Sequence, residues 1–230
     1  MPEPHPVPDS NSPRARARFA PPSWWPTVLV ASWLLALFAA MLLLERYKNT
    51  PGPVGAVRTT WPVTARLAHA TDQPTLLLFV HPRCTCTRAT LAELDTFLPR
   101  YAGRVHACAV FWAPSDLPAT WTHTDTWRTA SAMPGLAVRL DPDGREAARF
   151  GVLTSGHALL YAADGRLLFS GGITPSRGHM GDSAGLEQLR RALAAALHDG
   201  PARPAAALGR APVFGCGLDA RTGTRAGIVP

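Results

Sequence analysis

Lysine is almost missing from this chain: Lys48 is the only one among 23 Lys and Arg residues. The formal charge of +7 suggests a polyanion binder, but its distribution argues otherwise. Residues 59–200 carry thirteen Arg against twelve acids, and the excess lies in the segments before and after them. So neutral a folded part offers no basic recognition face, and nucleic acid is not expected as a partner. No Gly-rich phosphate loop, His-Glu-x-x-His or nucleophile elbow is present, which removes the chemistries those motifs carry. Charge is absent altogether from Phe19 to Leu44. The densest part, Thr27–Leu44, makes about 27 Å of helix, close to a bilayer core of roughly 30 Å. Trp24 and Trp25 at one end and Tyr47 at the other suit the two interfaces. The run passes straight into Glu45-Arg46 with no small-residue cleavage region, so residues 24–44 read as a retained transmembrane anchor, not a cleaved signal peptide. Arg14, Arg16 and Arg18 before it balance Arg46, Lys48 and Arg58 after it, so charge does not set its orientation.

Around that anchor the chain divides by composition. Residues 1–23 are Pro-rich and polar, and read as a disordered tail. Residues 45–60 read as a linker. Residues 61–199 are long enough to bury a core, and residues 200–230 form a Pro/Ala/Gly/Arg-rich flexible tail. Within 61–199, Thr75–Val80 is a continuous apolar run of the kind buried on both faces of a sheet. A helix over Cys84–Leu98 follows, with Leu91, Leu94 and Leu98 on one face and Pro99 ending it. Val105–Trp112 predicts a second buried strand, Ala119–Met133 a Thr-rich helix, Ala137–Leu140 a short strand and Glu146–Phe150 a short helix. Ala158–Tyr161 and Arg166–Phe169 pair across Asp164-Gly165 as a hairpin. Asp182 or Ser183 caps a last helix whose Leu186, Leu189, Leu193 and Leu197 share one face. This order predicts an α/β fold with a mixed sheet covered by helices. In the tail, Pro212-Val213-Phe214-Gly215-Cys216-Gly217-Leu218 is an apolar island with no core of its own, and docking back onto the domain would give it one.

Cys84 directly follows a buried strand and opens a helix, where free backbone N–H groups and a partial positive charge stabilise a thiolate. Arg83 adjoins it and His81 is near. Two inert core cysteines would fit poorly in a loop of His, Pro, Arg and Thr. A Cys-x-Cys pair is not a routine redox pair, because a bridge between Cys84 and Cys86 needs a non-helical first turn and should be strained. Two arrangements stay open: Cys86 resolves a mixed disulfide formed at Cys84, or Cys216 comes in from the tail to do so. Cys108 alternates within its strand as a core residue, the tryptophans read as packing, and His179 either lines the site or is exposed. Asp141 and Asp143 read as turn formers.

Phe79-Val80-His81-Pro82-Arg83-Cys84, Leu140-Asp141-Pro142-Asp143-Gly144 with Ala148-Arg149-Phe150-Gly151-Val152, and Gly156–Arg166 together resemble the thioredoxin superfamily. The likeness covers roughly Thr75–Leu197 and is strongest to membrane-anchored, extracytoplasmic oxidoreductases of the TlpA/ResA kind. More narrowly, His81-Pro-Arg-Cys-Thr-Cys, Gly171-Gly-Ile-Thr with Arg177-Gly-His, and Val213-Phe-Gly-Cys resemble the RedB group. The resemblance implies a thioredoxin-like fold and thiol-disulfide exchange at Cys84, Cys86 and Cys216. It also implies a protein or small-thiol disulfide as substrate, no cofactor, and a domain in the periplasm or cell exterior. Two departures stand out. Thr87 occupies the place of the family's second cysteine, and Gly156, between Ser155 and His157, that of its cis-proline. The second departure implies an imidazole near Cys84 and hence an alternative: copper bound by Cys84, Cys86 and His157, as in the Sco proteins. A non-catalytic interaction module is a third reading.

Overall fold

Thr75–Val80 forms strand β1, and all six of its residues are buried, as an uninterrupted apolar run requires. The computed structural model describes residues 23–198 and 208–218. The tail expected to be disordered lies outside the described residues up to Pro22, as do 199–207 and 219–230. The chain divides into two units, Met1–Leu44 and Glu45–Pro230. The first holds most of helix α1 (Trp25–Lys48), none of whose residues is buried and which is long and apolar enough to cross a membrane.

In the second unit β1 lies parallel to β2 (His106–Ala113) and antiparallel to β4 (His157–Tyr161), with Val80 opposite Phe111 and Phe79 opposite His157. Strand β3 (Leu136–Pro142) continues the parallel side, β5 (Leu167–Gly171) pairs antiparallel with β4, and the full order is β3-β2-β1-β4-β5-β6. The two-residue β6 is Gly209–Arg210. Alternation along β1 divides the core. Leu76, Leu78 and Val80 pack with Leu91, Leu94 and Phe97 of α2 (Cys86–Phe97) and with Leu186, Leu189 and Leu193 of α5 (Ala184–His198). Leu77 and Phe79 face Ala147 and Phe150 of α4 (Arg145–Phe150), with Trp61 packed beside them. Parallel β1–α2–β2, a further strand and helix, then a hairpin and a closing helix make the thioredoxin-like mixed sheet that the sequence predicts.

Local chemistry sets the element ends. Ser183 caps α5 as expected: its Oγ accepts the Leu186 N–H at 3.0 Å. The buried Asp141 carboxylate accepts the N–H groups of Glu146 and Ala147 at 2.7 and 2.9 Å, so it anchors the start of α4 and not merely a turn. The helix predicted over Ala119–Met133 is instead a 3-10 turn (Ala119–Trp121) followed by α3 (Asp125–Ala132). Thr124, the residue before α3, donates its hydroxyl to the Pro82 carbonyl at 3.0 Å and so competes with helix between the two pieces, while Thr126 inside α3 donates to the same carbonyl at 2.7 Å.

Two segments read as free are bound to the domain. Within the expected linker, Gly52 N–H donates to Val213 O at 2.8 Å, Arg58 N–H to Phe150 O at 3.2 Å, and Thr59 O accepts from Leu167 N–H at 2.8 Å. The part of the tail that is described adds β6 beside β5 and then buries Val213, Phe214 and Leu218. The docked tail segment meets the expectation for the apolar island, whereas the linker is corrected because its free backbone groups found partners that a composition reading cannot see.

Candidate active site at the end of the central strand

Beyond Val80 the chain turns through His81–Thr85 before α2 begins at Cys86. The Cys84 N–H donates to His81 O, and the Thr87 N–H to Cys84 O, both at 3.1 Å, so Cys84 lies just outside the helix that it was expected to open. The loop is pinned from three sides. His81 N–H donates to Ser155 Oγ at 2.9 Å. Thr87 Oγ1 donates to His81 O at 3.2 Å and lies 3.3 Å from Ser155 Oγ. Thr124 and Thr126 hold Pro82 from the side of α3. The His81 ring stacks on Trp112 at 5.2 Å and meets Trp121 edge-on. Burial pushes its imidazole below the ordinary value, while the neighbouring Cys84 sulfur opposes this.

Facing the loop, Gly156 occupies a backbone that few other residues adopt (φ +86°), and its N–H donates to Phe79 O at 2.8 Å. There is no cis peptide bond among the described residues. The tail segment Val213–Leu218 lies along this wall. Ser155 N–H donates to Cys216 O and Leu218 N–H to Leu153 O, both at 2.7 Å, and Thr154 bridges Gly217 in antiparallel sense. Arg177 clamps the segment through Gly215 O at 2.6 Å and also donates to Thr50 O.

This arrangement gathers three free thiols. The Cys216 N–H points at Cys84 Sγ from 3.4 Å. Hydrogen bonds from the Cys216 thiol, then from the Cys86 thiol, hold the Cys84 sulfur well below the usual thiol range, and the backbone N–H groups of Cys216 and Cys86 add to this against the cost of burial. The same contacts raise Cys86 and Cys216, which act as donors to the anion, while the charge of Arg177 pulls both the other way. Of the three, Cys84 is the one whose thiol is lowered, although only 2% of it is exposed, against 8% for Cys86. The guanidinium of Arg83, the residue before Cys84, donates to Trp121 O and lies over that ring at 5.0 Å.

His157 does not join the thiols. It is fully buried, its Nε2 lies 2.8 Å from Ser170 Oγ, and burial alone lowers its pKa to about 4. As the first residue of β4 it follows the alternation of Leu159 and Tyr161, into the core on the α4 side. Among the described residues no group of three His, Cys, Asp or Glu is placed to hold a metal ion, so the trio Cys84, Cys86 and His157 is not assembled. Cys108 is a core residue as expected, its thiol raised to about 11 by burial. His179 is exposed on its loop, with Nδ1 2.7 Å from Arg177 O.

Sequence reasoning placed Ser155 on the wall facing Cys84 but passed over Thr87, Thr124, Thr126 and Arg177 as working parts. Small hydroxyl residues carry no pattern by themselves, and only their convergence on His81 and Pro82 shows what they do. Arg177 had a visible signal, since it lies in a motif quoted for the narrower resemblance, but that signal assigns it no partner.

No family model matches the chain, and no curated protein matches it. Among solved structures it is similar to a hypothetical protein of Sinorhizobium meliloti, with 19% identity and a TM-score of 0.54 over 74% of this chain and 93% of that one. An uncharacterized conserved protein of Geobacillus kaustophilus gives 18% identity and a TM-score of 0.53 over 75% of this chain and 91% of that one. StoA of Bacillus subtilis is also similar, with 16% identity and a TM-score of 0.39 over 61% of this chain and 98% of that one. Likeness at these identities is one of fold. The strand order and the two likenesses with TM-scores above 0.5 show the fold, a thioredoxin-like mixed sheet covered by helices, and the described residues add one apolar helix near the N-terminus.

Proposed function

We infer that the protein is a thiol-disulfide oxidoreductase with Cys84 as its nucleophile. One observation carries this reading: at the end of the central strand three free thiols gather, with the Cys216 N–H 3.4 Å from Cys84 Sγ, a setting that favours the thiolate at Cys84. The thiolate is the form that attacks disulfides. Cys84 attacks one sulfur of the substrate disulfide, a mixed disulfide forms, and the other substrate sulfur leaves as a thiolate and takes up a proton. A second thiol of the cluster, Cys86 or Cys216, then loses its proton and attacks Cys84 Sγ. The second substrate thiol is released and an internal disulfide remains, which an external dithiol reduces. Electrons pass only between sulfur atoms, so no cofactor is assigned.

The substrate class is a protein or small-molecule disulfide. Helix α1 serves as a single-pass anchor, and the resemblance to TlpA/ResA-like and RedB-like proteins supports an extracytoplasmic domain. The test is reduction of insulin disulfides by the detergent-solubilised full chain with an excess of dithiol. Wild type should turn over and Cys84→Ser should fall to the dithiol-only rate. A Cys84→Ser protein as active as wild type would refute the mechanism.

A further inference from the structure

The segment Val213–Leu218 does more than fill a groove. It pairs with Leu153–Ser155 through one antiparallel bridge and two backbone hydrogen bonds, is anchored by three buried apolar side chains, and sets a cysteine against the buried nucleophile. We propose that this strap is a catalytic arm whose Cys216 is the disulfide partner of Cys84, and that it lifts to admit the substrate and returns to release the product. The proposal rests on the thiol-exchange reading above and chooses between the two thiols which that reading leaves open.

Geometry separates the candidates. Cys86 is the first residue of α2, and its carbonyl already accepts the Thr90 hydroxyl at 3.3 Å. The turn before it is closed by Thr87 N–H on Cys84 O, and Thr85 between the two cysteines is itself helical (φ −61°, ψ −31°). Bridging Cys84 to Cys86 means unwinding that turn, which also carries the Thr87 contacts to His81 and Ser155. Cys216 approaches from a separate segment, with its backbone N–H already on the Cys84 sulfur, and its side chain can close the remaining gap without disturbing α2. The near-complete burial of Cys84 supplies the reason for movement: a substrate disulfide reaches the sulfur only where the strap has lifted.

The steps balance. With the arm away, Cys84 S⁻ attacks the substrate disulfide R–S–S–R′, forming Cys84–S–S–R and releasing R′–S⁻. The Cys216 thiol gives its proton to the released thiolate, and its sulfur attacks Cys84 Sγ. The Cys84–Cys216 disulfide forms and R–S⁻ leaves. The substrate gains two electrons, the protein loses two, and an external dithiol restores them.

The experiment is linkage mapping on the solubilised full chain, oxidised by a stoichiometric small disulfide, alkylated and digested with trypsin. Cleavage after Arg83, Arg88, Arg210 and Arg221 leaves Cys84 and Cys86 on one short peptide and Cys216 on another. The expected product is a bridge between these two peptides, kept in Cys86→Ser and lost in Cys84→Ser. A wild-type bridge confined to Cys84–Arg88 overturns the proposal. Kinetics give a second arm. A tethered thiol acts at roughly millimolar effective concentration, so Cys216→Ser should turn over about tenfold more slowly with external monothiol at ~0.1 mM and recover at several mM. Wild-type turnover by Cys216→Ser at the low concentration also overturns it. The two levels of failure differ: an active Cys84→Ser protein ends the thiol-exchange reading, whereas an inactive one with a Cys84–Cys86 bridge in wild type ends only the arm.

Discussion

Replacing Gly215 by alanine loosens the strap without touching a sulfur atom. Gly215 is buried and its φ is not in the left-handed region, so alanine brings no backbone strain. It brings a collision: a β-carbon there stands 1.9 Å from Ser155 O and 2.9 Å from Ser155 C, both backbone atoms that cannot rotate away. Overpacking of this kind costs about 1–3 kcal/mol, which lowers the ratio of docked to lifted strap by about 5- to 150-fold. Where lifting is fast compared with alkylation, the reaction of Cys84 tracks the lifted population. In a Cys86→Ser background the peptide Cys84–Arg88 carries one thiol, and its labelling by dilute iodoacetamide can be followed by mass spectrometry. At about pH 9 even an ordinary thiol is mostly ionised, so a change in thiolate fraction does not mask the effect. Labelling of Cys84 should accelerate by the factor given above. A change smaller than about twofold, or slower labelling, would show that something other than the strap controls access to Cys84.

Two further perturbations test the scaffold of the site. Ser155→Ala leaves the buried His81 N–H without its acceptor, which costs about 1–3 kcal/mol and should lower the melting temperature of the domain by about 2–12 °C. An unchanged midpoint in calorimetry would mean that Ser155 does not hold the loop. His157 tests the pH dependence of stability. Its folded value of about 4 lies below the ordinary 6.5, so the unfolded chain takes up the proton first. This stability is complete above about pH 6.5 and lost as the pH falls toward 4, a loss of about 3 kcal/mol. His157→Gln keeps a polar partner for Ser170 without a proton to gain, and its urea unfolding free energy should decline less over that window by about the same 3 kcal/mol. Equal pH slopes in the two proteins would sink the argument.

Much of the fold was legible because burial writes itself into β1, α2 and α5 as runs and periodicities. Thr75–Val80 could only be a strand covered on both sides, and Leu186, Leu189 and Leu193 could only face a core. The helix expected over Ala119–Met133 broke where the Thr124 hydroxyl served the Pro82 carbonyl, a tertiary demand with no local sign. The position of Cys84 in the turn beyond the buried strand was legible from the sequence, as was the docking of Phe214 and Cys216 from the isolation of an apolar island in a polar tail. His157 was misplaced because its neighbour Gly156 aligns with a groove-lining position. Alternation along β4 turns the next side chain into the core, where Ser170 receives it. The residues that pin the Cys84 loop were invisible for a simpler reason: a single hydroxyl has no period.

The two sulfur atoms that meet at the groove belong to residues 132 positions apart in the chain. A bond between them would close nearly the whole domain into one covalent ring and restrict the unfolded chain accordingly, by about 5 kcal/mol on loop-entropy grounds. By linkage, folding favours formation of that bond by the same amount, on the order of 100 mV for a two-electron couple. The reduced protein would then be both the stronger reductant and the softer fold. Resistance to unfolding would report how many electrons the protein holds.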